Sequence, residues 1–417
     1  MRQGTLRSIV FLSVLTLTVA SGRDASAATA ATLYVANNGV DSTSCGAQTK
    51  PCRSITRTLA NAPSGSTVIV GPGLYGDVDG DGRFDSPGDE HPMQTEFTVP
   101  GGLPVPVSCV VCILKAVHIV SMNGAAATLI DGAASSYNVV EIAATGVIFG
   151  DVNKGFTLTG GVRGDEDNGR GLFLVAGNTR VIGNIARSNG GAGFELSPGG
   201  EHNFPTPTFS NGLNGNTLAT DNTAVDNGGA GFHIEGGTSS NFVQLSNNSS
   251  TGNGSGIGLY GTAPHVITHN MISGNGSGIG VVGGPFQFTH NVVTANNGFG
   301  FSFFDKLEIL RGQNLVKLND IISNGGSGIE VNRTTVPVVV TQNNIYGNGA
   351  IDGSNCGISV QQNSASAINN YWGSPQGPGA NPADHVGEPP LCDGTIPNND
   401  AGLPVTKPFA TQPFGVL

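Results

Sequence analysis

One phrase recurs between residues 180 and 350: two asparagines five positions apart, followed by glycines and a short β-type run. The leading residues of its seven copies are Asn184, Asn222, Asn248, Asn270, Asn291, Asn319 and Asn343, at spacings of 38, 26, 22, 21, 28 and 24 residues. A period near 21 to 26 residues, with occasional longer intervals, is typical of a solenoid with loop insertions.

The periodicity inside each copy indicates which solenoid the chain forms. Apolar residues alternate, as in Ile257 and Leu259, so one side of each run faces a core. A coil of about 22 residues made of short strands and Asn/Gly corners predicts an all-β fold, a right-handed parallel β-helix. We expect the asparagines at the corners because Asn and Gly tolerate a left-handed backbone. Equivalent Asn side chains can also hydrogen-bond from coil to coil.

Several segments resemble a known family. "LYVANNGVDSTSCGAQTKPCRSITRTLANAPSGSTVIVGPGLY" is similar to the opening of bacterial pectate-lyase-like β-helix proteins, and "VHIVSMNGAAATLIDG", "GFTLTGG" and "NNYWGSPQGPG" are similar to later parts of them. The resemblance covers residues 32 to about 390 and implies a short capping helix around Ser54 to Ala62. It leaves the activity open, because this superfamily includes lyases, hydrolases, epimerases and adhesins.

The domain organisation follows from these segments. Residues 1–27 read as a signal peptide, with a basic start, an apolar run and an Ala-Ser-Ala end cleaved after Ala27. We expect a β-helix domain over 28–392, with an N-terminal cap over 32–63, an insertion over 77–112 and a Pro-rich tail over 393–417. The mature protein is predicted to be secreted or periplasmic and monomeric, without a membrane span. Its net charge of −11 argues against a nucleic-acid partner.

Six cysteines fit an oxidising compartment. They fall in sequence-local pairs, which predicts the disulfides Cys45–Cys52, Cys109–Cys112 and Cys356–Cys392, although six cysteines allow fifteen connectivities. Zinc binding is the alternative for "CVVC", but no second CxxC motif or His pair at ligand spacing accompanies it.

Because the interior of a filled β-helix is packed, chemistry must come from outward side chains. The strand after each glycine corner predicts an outward row made of Phe173, Glu195, His233, Gly258, Gly280, Ser302, Glu330 and Ser359. A second row, two residues later, includes Glu235 and Tyr260. Glu195 and His233 should then be adjacent, with Glu235 diagonal to Glu195 at roughly 8 Å. Such a carboxylate pair suits inverting glycoside hydrolysis, so Glu195, His233 and Glu235 are the candidate catalytic residues.

The alternative is that these three residues are solvated surface groups. The insertion "GGEHNFPTPTFSNGLN" lies beside Glu195 and favours a groove wall at this place. Residues 236–304 contain no Asp, Glu, Lys or Arg, so ionisable groups crowd the coils before them.

Two further arrangements could carry chemistry. His269 and His290 should stack one coil apart, as a surface ladder or as a metal site with Asp221. The insertion "FDKLEILRGQ" offers Lys306 or Arg311 as the base that family lyases use with calcium, together with the nearby acids Asp305 and Glu308. The coils before it carry no acids to hold that calcium.

The stretch "DVDGDGRFDSPGDE" predicts a structural Ca²⁺ site. Asp77, Asp79, Asp81 and Asp85 occupy positions 1, 3, 5 and 9 of a calcium loop with Gly82 at the bend, similar to EF-hand, dockerin and thrombospondin-type loops. Gly88 replaces the usual acid at position 12, and no helical pattern flanks the loop. A solvated acidic loop is the alternative.

These features predict a secreted protein that binds or processes extracellular polysaccharide, by inverting glycoside hydrolysis at the three candidate residues. A non-catalytic surface or adhesive protein is the alternative, favoured by the sparse aromatic residues, which make up 6% of the chain. A calcium-dependent polysaccharide lyase is the second alternative.

Overall fold

The computed structural model describes residues 29–98, 104–162, 169–199, 213–236, 241–304, 312–332, 334, 336–351, 356–361, 365–379, 384–387 and 406–416. The predicted signal peptide, most of the tail, residues 200–212 of the insertion beside Glu195, and Lys306 and Arg311 lie outside these residues.

The described strands form three long sheets, and nearly every coil gives one strand to each sheet. The first sheet consists of Thr32–Val35, Thr67–Val70, His118–Ser121, Ile148–Phe149, Thr179–Ile182, Thr217–Thr220, Val243–Ser246, Val266–Thr268, Gln287–Thr289, Asn314–Lys317, Val338–Thr341 and Ala365–Ser366. The second sheet consists of Gly73–Gly76, Thr128–Ser135, Thr157–Gly161, Ile185–Arg187, Thr223–Val225, Ser249–Thr251, Met271–Ser273, Val292–Thr294, Asp320–Ile322 and Asn344–Tyr346. The third sheet consists of Met93–Thr98, Pro104–Ile113, Asn138–Ile142, Leu172–Leu174, Phe194–Leu196, Ala230–Gly236, Ser255–Gly261, Ile279–Gly283, Phe301–Phe304, Ile329–Asn332, Cys356–Gln361 and His385–Gly387.

Strands of successive coils pair in parallel, which confirms the predicted right-handed parallel β-helix. Among the described strands the exception is Met93–Thr98, which pairs antiparallel with Pro104–Ile113 inside the predicted insertion. The alternating apolar residues fill the interior, where like residues of adjacent coils stack: the rings of Phe194 and Phe232 lie 5.0 Å apart and nearly parallel. Burial of this continuous apolar column is the main force holding the coils together.

Two ladders of buried asparagines run along the corners and confirm the predicted hydrogen bonding between coils. In each ladder the side-chain Nδ2 of one asparagine donates to Oδ1 of the next, and the backbone N–H donates to the same oxygen. The first ladder contains Asn184, Asn222, Asn248, Asn270, Asn291, Asn319, Asn343 and Asn370. The second contains Asn189, Asn227, Asn253, Asn275, Asn296, Asn324 and Asn348.

The left-handed backbone at these corners lies one residue earlier than predicted. It falls on the residue before each asparagine, for example on Asp221 (φ 57°), His269 (φ 55°) and Leu318 (φ 56°). The asparagines are therefore selected for their buried side-chain hydrogen bonds, and the strained position accepts several residue types because the ladder beside it holds the backbone in place.

The predicted capping helix spans Ile55–Asn61 and packs its buried Ile55 and Leu59 against the first coils. Ser54 caps its start by accepting a hydrogen bond from the backbone N–H of Arg57. The buried carboxylate of Glu90 accepts from the N–H groups of Ile55 and Thr56 at 2.6 and 2.8 Å. The end of the acidic stretch is thus fastened to the cap of the solenoid. A single 3₁₀ turn, Ala125–Ala127, is the other helical element among the described residues.

The disulfides Cys45–Cys52 and Cys109–Cys112 are present, which confirms two predicted pairs and leaves "CVVC" without free thiols for zinc. Cys356 is also disulfide-bonded, and its predicted partner Cys392 lies outside the described residues. No helix in the described part of the chain is long and apolar enough to cross a bilayer.

Candidate functional site

The predicted outward row is confirmed by the strand register of the third sheet. Glu195 pairs with Phe173 on one side and His233 on the other, and the row continues through Gly258, Gly280, Ser302, Glu330 and Ser359. In the second row, Glu235 pairs with Tyr260. Parallel pairing in register therefore places Glu195, His233 and Glu235 on one face within two coils.

Glu195 is held by a neighbour at the preceding corner. Its Oε2 lies 2.5 Å from Nε of Arg170, and both side chains are buried. The guanidinium carbon of Arg170 also lies 4.4 Å from the centre of the Phe173 ring. A charge-assisted hydrogen bond and a cation–π contact thus fix the orientation of the Glu195 carboxylate.

His233 and Glu235 form a second pair, which is more open to solvent. Nε2 of His233 lies 3.1 Å from Oε1 of Glu235, and the two side chains are 27% and 21% exposed. Burial by itself lowers the pKa of His233. The hydrogen bond to Glu235 and the charges of Glu195 and Glu235 outweigh that effect, so the pKa of His233 is raised above its usual value.

Tyr260 covers one side of this pair. Its ring stacks on that of His233 with centroids 5.0 Å apart and planes within 12°. Burial, followed by the charge of Glu235, raises the pKa of the Tyr260 hydroxyl, so Tyr260 is a neutral hydrogen-bonding group. Tyr260 as a whole is 38% exposed. A partly exposed aromatic side chain beside a proton-transfer pair is a suitable surface for a sugar.

The chemical capacity of this site is proton transfer beside a fixed carboxylate. The raised pKa of His233 favours the protonated imidazole, which can donate a proton, and the carboxylates of Glu195 and Glu235 can accept one. No group of three metal-binding side chains lies on this face among the described residues.

Sequence reasoning missed two parts of the arrangement. It did not predict the ion pair of Arg170 with Glu195, because Arg170 precedes the strand and reaches its partner across a coil. It also omitted Glu141, which continues the same row one coil before Phe173 and is buried. Extending the row backward by one coil, to the strand that follows "SSY", would have found Glu141.

The acidic loop brings three of its four predicted ligands together. The carboxylates of Asp77, Asp79 and Asp81 have oxygens within 4.8 Å of one another. Asp77 accepts from the N–H groups of Gly80 and Gly82, both at 2.8 Å, and Gly82, at the predicted bend, has a left-handed backbone. Asp85 is outside this group and lies 4.0 Å from Nη1 of Arg83 on the surface.

The histidine ladder is also present. The rings of His269 and His290 stack with centroids 4.8 Å apart and planes within 1°. Partial burial, then the neighbouring His269 and Lys317, lower the pKa of His290. Asp221 does not join them in a group of three possible metal ligands within the described structure. The alternative lyase residues Asp305, Lys306, Glu308 and Arg311 are outside the described residues.

Comparison with known proteins supports the β-helix fold. Residues 210–311 match the family described as "right handed beta helix region". The fold and this match define the chain as a right-handed parallel β-helix protein. No curated protein sequence matches the chain significantly.

Solved β-helix structures resemble the chain at low identity. The pectate lyase Pel9A is 16% identical with a TM-score of 0.44, over 82% of this chain and 76% of the other. An alginate lyase from Paenibacillus sp. strain FPU-7 is 10% identical with a TM-score of 0.44, over 75% and 94%. The A-module of the mannuronan C-5 epimerase AlgE4 from Azotobacter vinelandii is 16% identical with a TM-score of 0.41, over 74% and 80%.

Proposed function

We propose that this protein is a secreted β-helix enzyme that binds extracellular polysaccharide on its third sheet and hydrolyses a glycosidic bond there. The observation that carries the proposal is the pairing of His233 with Glu235 at 3.1 Å, directly beside Glu195 in the strand register. The disulfides support an oxidising compartment outside the cytoplasm.

The hydrogen-bonded pair of His233 and Glu235 is the proton donor. Because its pKa is raised, the His233 imidazole keeps a proton at a pH where an isolated histidine would lose it. That proton passes to the glycosidic oxygen as the bond between this oxygen and the anomeric carbon breaks.

Glu195 is the base in this mechanism. Its carboxylate takes a proton from a water molecule, whose oxygen bonds to the anomeric carbon from the face opposite the leaving group. Arg170 is a positioning residue, because it holds Oε2 of Glu195 and leaves the second oxygen for the water. Protons return to the starting groups through solvent, so the reaction consumes one water and inverts the anomeric centre.

A non-catalytic carbohydrate-binding role is the second candidate. The observation in its favour is the burial of Glu195, which is only 7% exposed and already paired with Arg170. A buried ion pair can serve the fold alone, in which case the surface would bind glycan without cleaving it.

We also propose that the acidic loop binds a structural Ca²⁺ through Asp77, Asp79 and Asp81. Carboxylate oxygens at alternate positions, close together around a glycine bend, fit the donors that this cation prefers. The ion would offset the mutual repulsion of these acids in a loop that Glu90 fastens to the cap.

The test of the enzyme proposal is incubation of the purified protein, with calcium, on a panel of neutral and uronic polysaccharides. New reducing ends and unsaturated products are measured together. Reducing ends without unsaturated products support hydrolysis, both together indicate a lyase, and neither supports the binding role. Glu195→Gln, His233→Gln and Glu235→Gln should each abolish hydrolysis, whereas full activity of any one of them contradicts its assigned role.

A further inference from the structure

The charge distribution around the proposed site limits the class of polysaccharide it can accept. The strands of the third sheet contain five glutamates and no lysine or arginine. The glutamates are Glu96, Glu141, Glu195, Glu235 and Glu330. A uronic polysaccharide carries one negative charge on each acidic sugar and would find no lysine or arginine on these strands to pair with it.

Arg170, the described cation beside the site, cannot pair with a sugar carboxylate. The Arg170 side chain is buried, its Nε bonds to Glu195, and its guanidinium lies over the Phe173 ring. A sugar carboxylate would have to displace Glu195 to reach it, which leaves a buried carboxylate without its partner and is costly. The described residues of this face also include no group of three possible metal ligands that could hold a bridging calcium ion.

The surface on the C-terminal side of His233 is uncharged over three coils. Residues 236–304 contain no Asp, Glu, Lys or Arg, and they supply three successive outward positions of the row, Gly258, Gly280 and Ser302. Glu195 pairs with Arg170, and Glu235 pairs with His233. The site therefore does not present a free acidic cluster to a cationic polymer.

The half-buried side chains of Val282 and Phe304 and the exposed ring of Tyr260 flank this uncharged row. Tyr260, Val282 and Phe304 occupy the second outward row beside Gly258, Gly280 and Ser302, and the first two pair with each other in register. Gly280 has an ordinary strand backbone, and a Cβ added there would meet no atom within 4 Å. Neither conformation nor packing therefore requires glycine at this position, although glycine weakens a strand interior.

We infer that the substrate is an uncharged polysaccharide that runs along the helix axis from His233 across Gly280. The inference rests on the proposed function, because it names the substrate of the same site. The apolar faces of the sugar rings would pack against Tyr260 and Val282, and the missing side chain at Gly280 leaves room for a ring close to the backbone.

The experiment is a binding titration of the full chain, made inactive by Glu235→Gln, with hexasaccharides in the presence of calcium. The neutral probes are cellohexaose, xylohexaose and mannohexaose. The charged probes are hexagalacturonate, hexamannuronate and hexaglucosamine. We expect at least one neutral probe to bind more tightly than every charged probe. Failure of all neutral probes to bind, or tighter binding of a charged probe, would overturn the inference.

A pair of variants tests where the oligosaccharide binds on the protein. Gly280→Leu should weaken binding of the neutral probe at least about tenfold, because the leucine side chain would occupy the space in which the sugar ring is proposed to lie. Ser273→Leu lies in the same coil on the second sheet and should leave the affinity unchanged. Equal binding by the Gly280→Leu variant, with an unchanged midpoint of thermal unfolding, contradicts the inference.

Failure of the inference is distinguishable from failure of the proposed function. If the unsubstituted protein hydrolyses only uronic polysaccharide, the enzyme proposal stands and the substrate class is wrong. If the neutral probe binds and Gly280→Leu blocks it, but the unsubstituted protein releases no reducing ends, the substrate class stands and the hydrolase proposal is wrong.

Discussion

The side-chain Nδ2 of Asn348 donates a hydrogen bond to Oδ2 of Asp384 at 2.9 Å, so the second asparagine ladder ends on a carboxylate. Asp384 also accepts from the N–H of Gly347 at 2.8 Å and is fully buried. Each asparagine of the ladder donates to the next one toward the C-terminal end, and the final amide donates to Asp384 as well as to the carbonyl of Ile321. Burial of this carboxylate outweighs its hydrogen bonds and raises the pKa of Asp384 to about 6.

Stability should therefore fall as Asp384 ionises. Over a range of pH the Asp384 carboxyl is protonated in the folded protein but ionised in the unfolded chain. Its contribution to the free energy of unfolding is therefore fully present below the pKa of the unfolded state. The contribution is lost between about pH 4 and pH 6, by up to roughly 3 kcal/mol. Asp384→Asn keeps the shape and removes the titration. The difference between the two unfolding midpoints, measured from pH 4 to pH 7, isolates this group, and an equal pH dependence contradicts the assignment.

The buried ladder should contribute far more stability than surface asparagines do. Asn296 donates to Asn324 and to the carbonyl of Ile272, and it accepts from the backbone and side chain of Asn275. Asn296→Ala leaves several of these buried groups without partners and should cost about 3 kcal/mol or more. Its neighbour Asn297 is exposed, so Asn297→Ala should change the unfolding free energy by less than about 0.5 kcal/mol. Chemical denaturation of both variants gives the comparison, and similar losses would argue against the ladder's role.

The pH profile of the enzyme should report the coupling of His233 to Glu235. Hydrolysis needs the protonated imidazole, so kcat should fall as pH rises through the raised pKa of His233. The Tyr260→Leu variant should show the same fall of kcat with rising pH, because Tyr260 is not a source of the raised pKa of His233.

Glu235→Gln should lower the pKa of His233, since it removes the hydrogen-bonded carboxylate that raises it. NMR titration of the imidazole detects this shift even in a variant without activity. An unchanged His233 titration in Glu235→Gln would show that the two side chains are not coupled in solution.

Calcium should stabilise the protein through the acidic loop. At a calcium concentration of 100 times Kd, a single site adds about 2.7 kcal/mol to the free energy of unfolding. Asp81→Asn removes a member of the three-carboxylate group and should abolish most of this gain. Asp85→Asn should keep it, because Asp85 lies apart from that group and near Arg83. The measurement is thermal unfolding with calcium and with chelator, and a midpoint independent of calcium would rule out the site.

The repeat predicted the solenoid because its asparagines and alternating apolar residues act locally and identically in every coil. The row of Glu195, His233 and Gly258 followed from the same regularity, since parallel strands in register place equivalent positions side by side. The sequence could not reveal the contact of Arg170 with Glu195, because a long side chain at a corner can reach either of two coils. Nor could it reveal that Glu90 binds the capping helix, which depends on how the insertion folds back over 34 residues.

The most direct test of the account is a crystal structure of the Glu235→Gln variant with a bound neutral hexasaccharide. We predict that the hexasaccharide lies along the third sheet with one glycosidic oxygen within about 2.6–3.2 Å of a ring nitrogen of His233. We also predict a sugar ring over Gly280 beside Tyr260. A hexasaccharide bound to another face, or one whose glycosidic oxygens all lie beyond reach of His233, would contradict the central claim that this face carries the active site.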